Sequence, residues 1–178
     1  MRPPSLTPGR IVFALALLLF AWSLGRDAAA MPPQVASHFD AEGRADGTMP
    51  LRAHLLSFGG LGLGMSFFLI GVCWSIRLFP PSALNLPLPD SDYWRRPENH
   101  ARACRLIADH SYWIAALNLV WLTLLHRQIA AANLGPVPAL PPGGLALDGW
   151  IYGGGTALWI AALVLRVRRA AKAPASAS

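Results

Sequence analysis

Charged side chains are scarce in this sequence. They make up 13% of its 178 residues, about half of the roughly 25% that soluble globular proteins carry. Hydrophobic residues make up 54% of the chain, and they are concentrated in long blocks. This composition excludes an ordinary soluble domain and favours a protein embedded in a lipid bilayer.

Cysteine is almost absent, since the chain holds only Cys73 and Cys104. Cys73 lies in an apolar block, Cys104 lies in a basic segment, and no CxxC pair occurs. A disulfide framework is therefore excluded. We expect both residues to be free thiols without a chemical role.

Motifs of membrane-embedded hydrolases are missing as well. The chain has no GxSxG elbow, no HExxH pair and no pair of aspartates within an apolar block, and these are the residues that such chemistry needs. The net charge is +6, but the basic residues are not interleaved with stacking aromatics as in nucleic-acid-binding proteins. We therefore expect a non-enzymatic protein that needs no cofactor and binds no nucleic acid.

Four apolar segments organise the rest of the sequence. A helix needs about 20 residues to cross a hydrocarbon core of roughly 30 Å, and the segments meet or approach that length. The predicted spans are 11–31, 55–77, 106–127 and 147–166. We predict an all-α integral membrane protein, a four-transmembrane-helix bundle that forms a single polytopic domain over 1–170. A helix that begins at Pro97 is expected to lead into the third span, and 171–178 is expected to be a disordered tail.

The first apolar segment has two interpretations. Arg2 and Arg10 precede it and three alanines at 28–30 follow it, as in a cleaved signal peptide. However, the adjacent Arg26 and Asp27 are unusual directly before a cleavage site. We therefore expect the segment to be retained as a span, with Arg26 extending to the interface.

Basic residues flank the four spans unevenly. Eleven, counting Arg77 and Arg166 at span ends, lie on the side shared by the two termini and the 78–105 loop. Four, counting Arg26 and Arg127 at span ends, lie on the opposite side with the 32–54 loop. Because loops rich in Lys and Arg remain in the cytoplasm, we predict that both termini and the 78–105 loop are cytoplasmic. The 32–54 loop is then extracytoplasmic.

The most polar part of this outer loop is "SHFDAEGRADG", residues 37–47. Asp46-Gly47 is a tight-turn dipeptide, and Gly43 permits a left-handed backbone. The flanking segments "VASHFD" and "TMPL" could then pair as a short β-hairpin. We predict a small structured cap, with Phe39 packed onto the helices. Its binding or cap-forming residues are His38, Phe39, Asp40, Gly43, Asp46 and Gly47.

Other polar and small residues support alternative functions. His38, His54 and His126 are predicted near the outer face, and three imidazoles suit zinc or copper, although no two of them share i,i+4 spacing.

Asp109 and His110 are ionisable neighbours close to a span and could relay protons in a transporter. Two small-xxx-small pairs let helices approach closely, within the monomer or in a homo-oligomer; they are Gly60 with Gly64 and Gly149 with Gly153.

The stretch "MPPQVASHFDAEGRADG" resembles the signature of bacterial membrane proteins grouped as domain of unknown function 1648. The matching residues are Pro32, His38, Phe39, Asp40, Gly43, Asp46 and Gly47. The stretch "NLPLPDSDYWRRPE" resembles a later segment of these proteins through Asn85, Leu86, Pro87, Asp92, Tyr93 and Trp94. Three positions depart from the usual residues, namely Met31, Ala36 and Thr48.

The resemblance implies a multi-pass protein of the bacterial inner membrane with a conserved outer loop. The same domain begins SdpI-related immunity proteins, although the sequence here does not include their longer helical continuation. We therefore expect envelope sensing, or immunity towards a membrane-active agent, through an unknown extracytoplasmic ligand or membrane partner. The alternatives are a small transporter or transport-complex subunit and a metal-binding membrane protein.

Overall fold

The computed structural model of the chain describes residues 6–81 and 90–172. Within these residues lie four long helices, α1 (Pro8–Ala28), α2 (Leu51–Ser75), α4 (Pro97–Asn133) and α5 (Gly144–Lys172). A 3₁₀ turn (Ile76–Leu78) and the short helix α3 (Ser91–Trp94) lie between α2 and α4. All four long helices are long and apolar enough to cross a membrane, which confirms that part of the prediction.

Several helix boundaries differ from the predicted ones. α4 begins at Pro97, as expected, and continues to Asn133, so the last part of the predicted 78–105 loop is helical. α5 continues to Lys172 and takes in the first two residues of the predicted tail; residues 173–178 lie outside the described residues. α2 begins directly after Pro50, so His54 belongs to its first turn rather than to the 32–54 loop.

The predicted hairpin is confirmed. β1 (Gln34–Phe39) and β2 (Ala45–Pro50) pair as an antiparallel two-stranded sheet that connects α1 to α2. We call this end of the bundle the hairpin end. The opposite end, where α1 begins and α5 ends, is the terminal end.

Helix α4 is the centre of the bundle, and α1, α2 and α5 each pack against it. The small residues Ala115 and Ala116 of α4 let Phe13 and Phe20 of α1 pack closely. The most apolar window of α4 is 56% buried, whereas those of α2 and α5 are 11% and 6% buried. The outward faces of α2 and α5 are therefore extended apolar surfaces of the kind that lipid or another protein covers.

The glycine pairs predicted to mediate packing make no close contact with the described residues of the monomer. A Cβ added at any of these positions would meet nothing within 4 Å in the part of the chain that the structure describes: Gly60, Gly64, Gly149 and Gly153. The close approach on α2 lies instead at Gly62, where a Cβ would be 2.5 Å from Cζ of Phe20. The packing prediction is therefore wrong, and homo-oligomerisation through these pairs stays a prediction.

Candidate functional site

Asp40 organises the turn of the hairpin. Its carboxylate accepts hydrogen bonds from the backbone N–H groups of Arg44 (2.8 Å) and Glu42 (3.1 Å). The N–H of Gly43 donates to the Asp40 carbonyl at 3.0 Å. Gly43 has a φ of +81°, a conformation that a residue with a Cβ adopts only at a cost. The predicted left-handed backbone at Gly43 is therefore confirmed.

Ion pairs surround the same turn. The Arg44 side chain donates to the carboxylates of Asp40 at 3.0 Å and Glu42 at 3.3 Å. The hydrogen bond from the Arg44 backbone N–H holds the pKa of Asp40 below its ordinary value, and the Arg44 guanidinium acts in the same direction. The Asp40 carboxylate, which closes the turn, therefore stays ionised into the acid range.

The turn does not lie at Asp46-Gly47, so that prediction is wrong. Both residues belong to β2, because Asp40 already closes the chain between residues 40 and 44. Gly47 pairs with His38 of β1, and a Cβ on Gly47 would lie 3.0 Å from the His38 Cβ. Gly47 is thus needed for the close cross-strand approach, whereas positive φ occurs at Gly43 and Gly143 among the described glycines.

His38 and Asp46 form an exposed pair on the hairpin. The His38 Nδ1 contacts the Asp46 carboxylate across the two strands, and the side chains are 76% and 47% exposed. Pairs this exposed contribute little to stability. Among the six predicted cap residues, these two are therefore the ones that offer polar groups without holding the fold.

The hairpin is fixed to α4 through the buried side chain of Asn133. Its Oδ1 accepts from the Ala36 N–H at 2.7 Å, and its Nδ2 donates to the Ala36 carbonyl at 2.9 Å. Phe39 packs against a buried cluster of Ile129, Ala132 and Leu140, as predicted for that side chain. Sequence reasoning missed Asn133, because its partner lies 97 residues away and no local pattern connects them.

A cleft of about 280 Å³ lies between the hairpin turn and the segment that leads into α5, beside the hydrogen bond from the Leu140 N–H to the Gly43 carbonyl. Asp40, Glu42 and Gly43 line one side, and Pro141 and Pro142 line the other. The volume lies near the lower limit of small-ligand pockets, about 300 Å³. The cleft and the His38–Asp46 pair together form the candidate recognition surface of the hairpin end.

A second polar cluster lies inside the hairpin end, where α1, α2 and α4 meet. His54 Nε2 lies 3.3 Å from His126 Nδ1, and His126 Nε2 lies 3.5 Å from Oδ2 of Asp27. All three residues are buried. Ser23 donates to Asp27 at 3.3 Å, and Arg26 donates to its other oxygen at 2.8 Å.

This cluster can hold or transfer a proton. His126 Nε2 makes no hydrogen bond within the described residues, although Asp27 lies 3.5 Å away. A proton at that nitrogen would leave Nδ1 as the acceptor for an N–H from His54. Ionisable groups inside apolar helices are costly, and they often mark ion or proton pathways. Sequence reasoning did not assign Asp27 to this cluster. The sequence feature that could have revealed Asp27 is its position, because it is an acidic residue at the end of an apolar block.

The three histidines considered as metal ligands do not converge. His54 and His126 meet, but His38 pairs with Asp46 on the exposed hairpin. Over residues 6–81 and 90–172, no group of three or more His, Cys, Asp or Glu side chains could hold a metal ion. Both cysteines are free thiols in the structure.

Asp109 and His110 lie at the terminal end and have separate partners. Asp109 pairs with Arg10 of α1 at 3.6 Å. His110 uses its Nε2 to donate to the carbonyl of Trp159 on α5 at 3.0 Å. The two neighbours are therefore directed towards different helices.

The fold and its sites define a helical protein with four span-length helices, an ordered hairpin cap and a buried polar cluster beneath it. The chain matches no family model, no curated protein and no solved structure.

Proposed function

We propose that the four long helices cross the bacterial inner membrane, with the hairpin outside and both termini in the cytoplasm. The apolar outward faces of α2 and α5 support the membrane location. The excess of basic residues at the terminal end supports the orientation, because loops rich in Lys and Arg remain in the cytoplasm. The hairpin then forms a cap on the outer surface.

We further propose that the protein is a non-enzymatic receptor of the cell envelope, whose cap recognises an extracytoplasmic ligand. The observation that carries this proposal is the division of the cap into fixed and exposed parts. Asp40, Gly43 and Asn133 hold the hairpin in place, while His38 and Asp46 remain exposed. A rigid frame with exposed polar groups suits recognition, because little ordering entropy is lost on binding.

The resemblance to domain of unknown function 1648 and to SdpI-related immunity proteins directs the choice of ligand. We propose envelope sensing, or immunity towards a membrane-active agent. Because the cap contacts α4 directly through Asn133, a ligand that changes the cap would act on the helix that contacts the other three long helices.

The test is a chemical-sensitivity screen of a deletion strain, complemented with wild-type protein, His38→Ala or His100→Ala. His100 is the matched control, since it lies on α4 at the terminal end. We expect the deletion to change sensitivity to an envelope-targeting agent, His38→Ala to reproduce the change at normal abundance, and His100→Ala to restore the wild-type response. Full complementation by His38→Ala would show that the loop histidine has no role in recognition.

A second candidate function is proton-linked transport, and the buried Asp27–His126–His54 cluster favours it. Three ionisable groups in sequence connect α1, α4 and α2, and such groups in membrane helices often carry protons. Reconstituted vesicles with an internal pH dye test it. Proton uptake that His126→Gln abolishes and His100→Gln leaves intact would support transport, and the absence of any flux with wild-type protein would contradict it.

A further inference from the structure

A groove of about 580 Å³ opens at the terminal end between the start of α1 and α5. Trp113 and Leu117 of α4, with Leu158 and Ala162 of α5, give it an apolar lining. Its volume lies within the range of ligand pockets, about 300–1,000 Å³. The groove is therefore large enough for part of a lipid.

Several arginines lie at this end of the bundle, and one of them lines the groove. Arg166 lines the groove itself, and two smaller cavities share Asp109 with it. The arginines that line these two cavities are Arg10, Arg77, Arg105, Arg166 and Arg169. Among the described residues that line the three cavities, Asp109 is the only acidic one, and it pairs with Arg10. Arg166 and Asp109 balance each other within the groove, and the arginines of the two adjoining cavities make the charge at this end of the bundle positive, which attracts an anion.

His110 adds a polar atom that has no partner among the described residues. Its ring stacks on Trp159, and each residue donates from its ring to the other's backbone carbonyl at 3.0 Å. Because Nε2 is the donor in this exchange, Nδ1 of a neutral ring is an acceptor. Nδ1 has no hydrogen-bond partner in the described part of the chain, and His110 is 4% exposed. Such an atom is usually satisfied by a partner, and His110 lines the groove.

We propose that this groove binds one anionic phospholipid whose headgroup carries a hydroxyl, as phosphatidylglycerol does. The arginines attract the phosphodiester, a headgroup hydroxyl is the donor for His110 Nδ1, and an acyl chain lies along the apolar lining. A free phosphate would interact only with the arginines, and a neutral lipid would interact only with the apolar lining of the groove. The proposal rests on the helices crossing a bilayer, and it does not depend on what the cap recognises.

The test is native mass spectrometry of the full chain in detergent, with equal amounts of phosphatidylglycerol and phosphatidylcholine. We expect one phosphatidylglycerol to be retained in preference to phosphatidylcholine. Each arginine near a lipid phosphate contributes roughly a fivefold preference, so Arg166→Ala should reduce the preference about fivefold. Arg168→Ala is the matched control, because Arg168 does not line the groove, and it should leave the preference unchanged.

A second pair of variants tests the position of the acyl chain. Ala162→Trp fills the groove and keeps every charge, so it should abolish retention, whereas Ala161→Trp on the adjacent position should not. Helical circular dichroism and size exclusion confirm that each variant is folded. Equal retention of the two lipids, full retention by folded Ala162→Trp, or displacement by soluble glycerol phosphate at lipid concentration would each overturn the proposal.

Discussion

At the scale of single residues, the cap separates side chains that hold it from side chains that it exposes. Asp40 and Asn133 satisfy backbone groups that would otherwise lack partners, and Gly43 supplies a left-handed backbone. His38 and Asp46 interact mainly with each other. Substitutions can therefore separate the stability of the cap from its use as a binding surface.

Gly43→Ala tests whether the turn has the conformation described. The substitution should destabilise the cap by on the order of 1 kcal/mol or more, because alanine is strained at positive φ. The added Cβ would also lie 3.0 Å from the Leu140 carbonyl oxygen. Hydrogen exchange of the Asp40 and Leu140 amides should therefore accelerate severalfold. Glu42→Ala is the control, since its exposed ion pair contributes little, and equal exchange in the two variants would argue against an ordered turn.

The Asp40 carboxyl gives the cap a defined response to acid. Its folded-state pKa is lowered from 3.8, so its contribution to stability is fully present above that value. The contribution is lost as the pH falls through the lower folded-state pKa. Carbon-13 NMR of the Asp40 carboxyl should show a titration midpoint below 3.8, with loss of hairpin amide dispersion as it titrates. A midpoint at or above 3.8 would contradict the hydrogen bonds assigned to this carboxylate.

At the scale of elements, α4 connects the parts of the molecule. It packs against the other three long helices, contacts the hairpin through Asn133 and contributes His126 to the buried cluster. Its neighbours α2 and α5 have largely exposed apolar faces. A change at either end of the bundle therefore acts on α4.

Two glycines of α2 distinguish the packed face of that helix from its exposed face. Gly62→Ala should destabilise the bundle by about 1–3 kcal/mol, because overpacking a core costs that much and Phe20, which the Cβ would meet, is 1% exposed. Gly64→Ala should be neutral or stabilising, since nothing lies within 4 Å of the added Cβ. Denaturant titrations in matched detergent micelles compare the two. A larger loss of unfolding free energy for Gly64→Ala than for Gly62→Ala would show that α1 packs against the other face of α2.

Local patterns in the sequence were sufficient to predict the long helices, the hairpin and the left-handed glycine. The apolar blocks predict α1, α2, α4 and α5. Two short segments around a polar turn predict β1 and β2. The contacts of Asn133 with Ala36 and of His54 with His126 depend on how each helix is rotated about its axis, which no local pattern records. Asp46-Gly47 has turn composition, but the Asp40 carboxylate closes the turn earlier.

At the scale of the whole molecule, the two ends of the bundle carry different chemistry. The hairpin end presents a small polar cap over a buried histidine pair. The terminal end presents arginines around an apolar groove. This polarity is what a protein needs if it contacts an extracytoplasmic ligand at one end and anionic lipid at the other.

The most direct test determines on which side of the membrane the hairpin lies. Single cysteines are placed at Ala45, Ser91 or Ser176 in a background that lacks Cys73 and Cys104, and intact cells are treated with an impermeant thiol reagent. We predict labelling at 45 in intact cells, and labelling at 91 and 176 only after the membrane is permeabilised. Labelling at 91 in intact cells, with 45 protected, would contradict the outward-facing cap and the receptor function proposed for it.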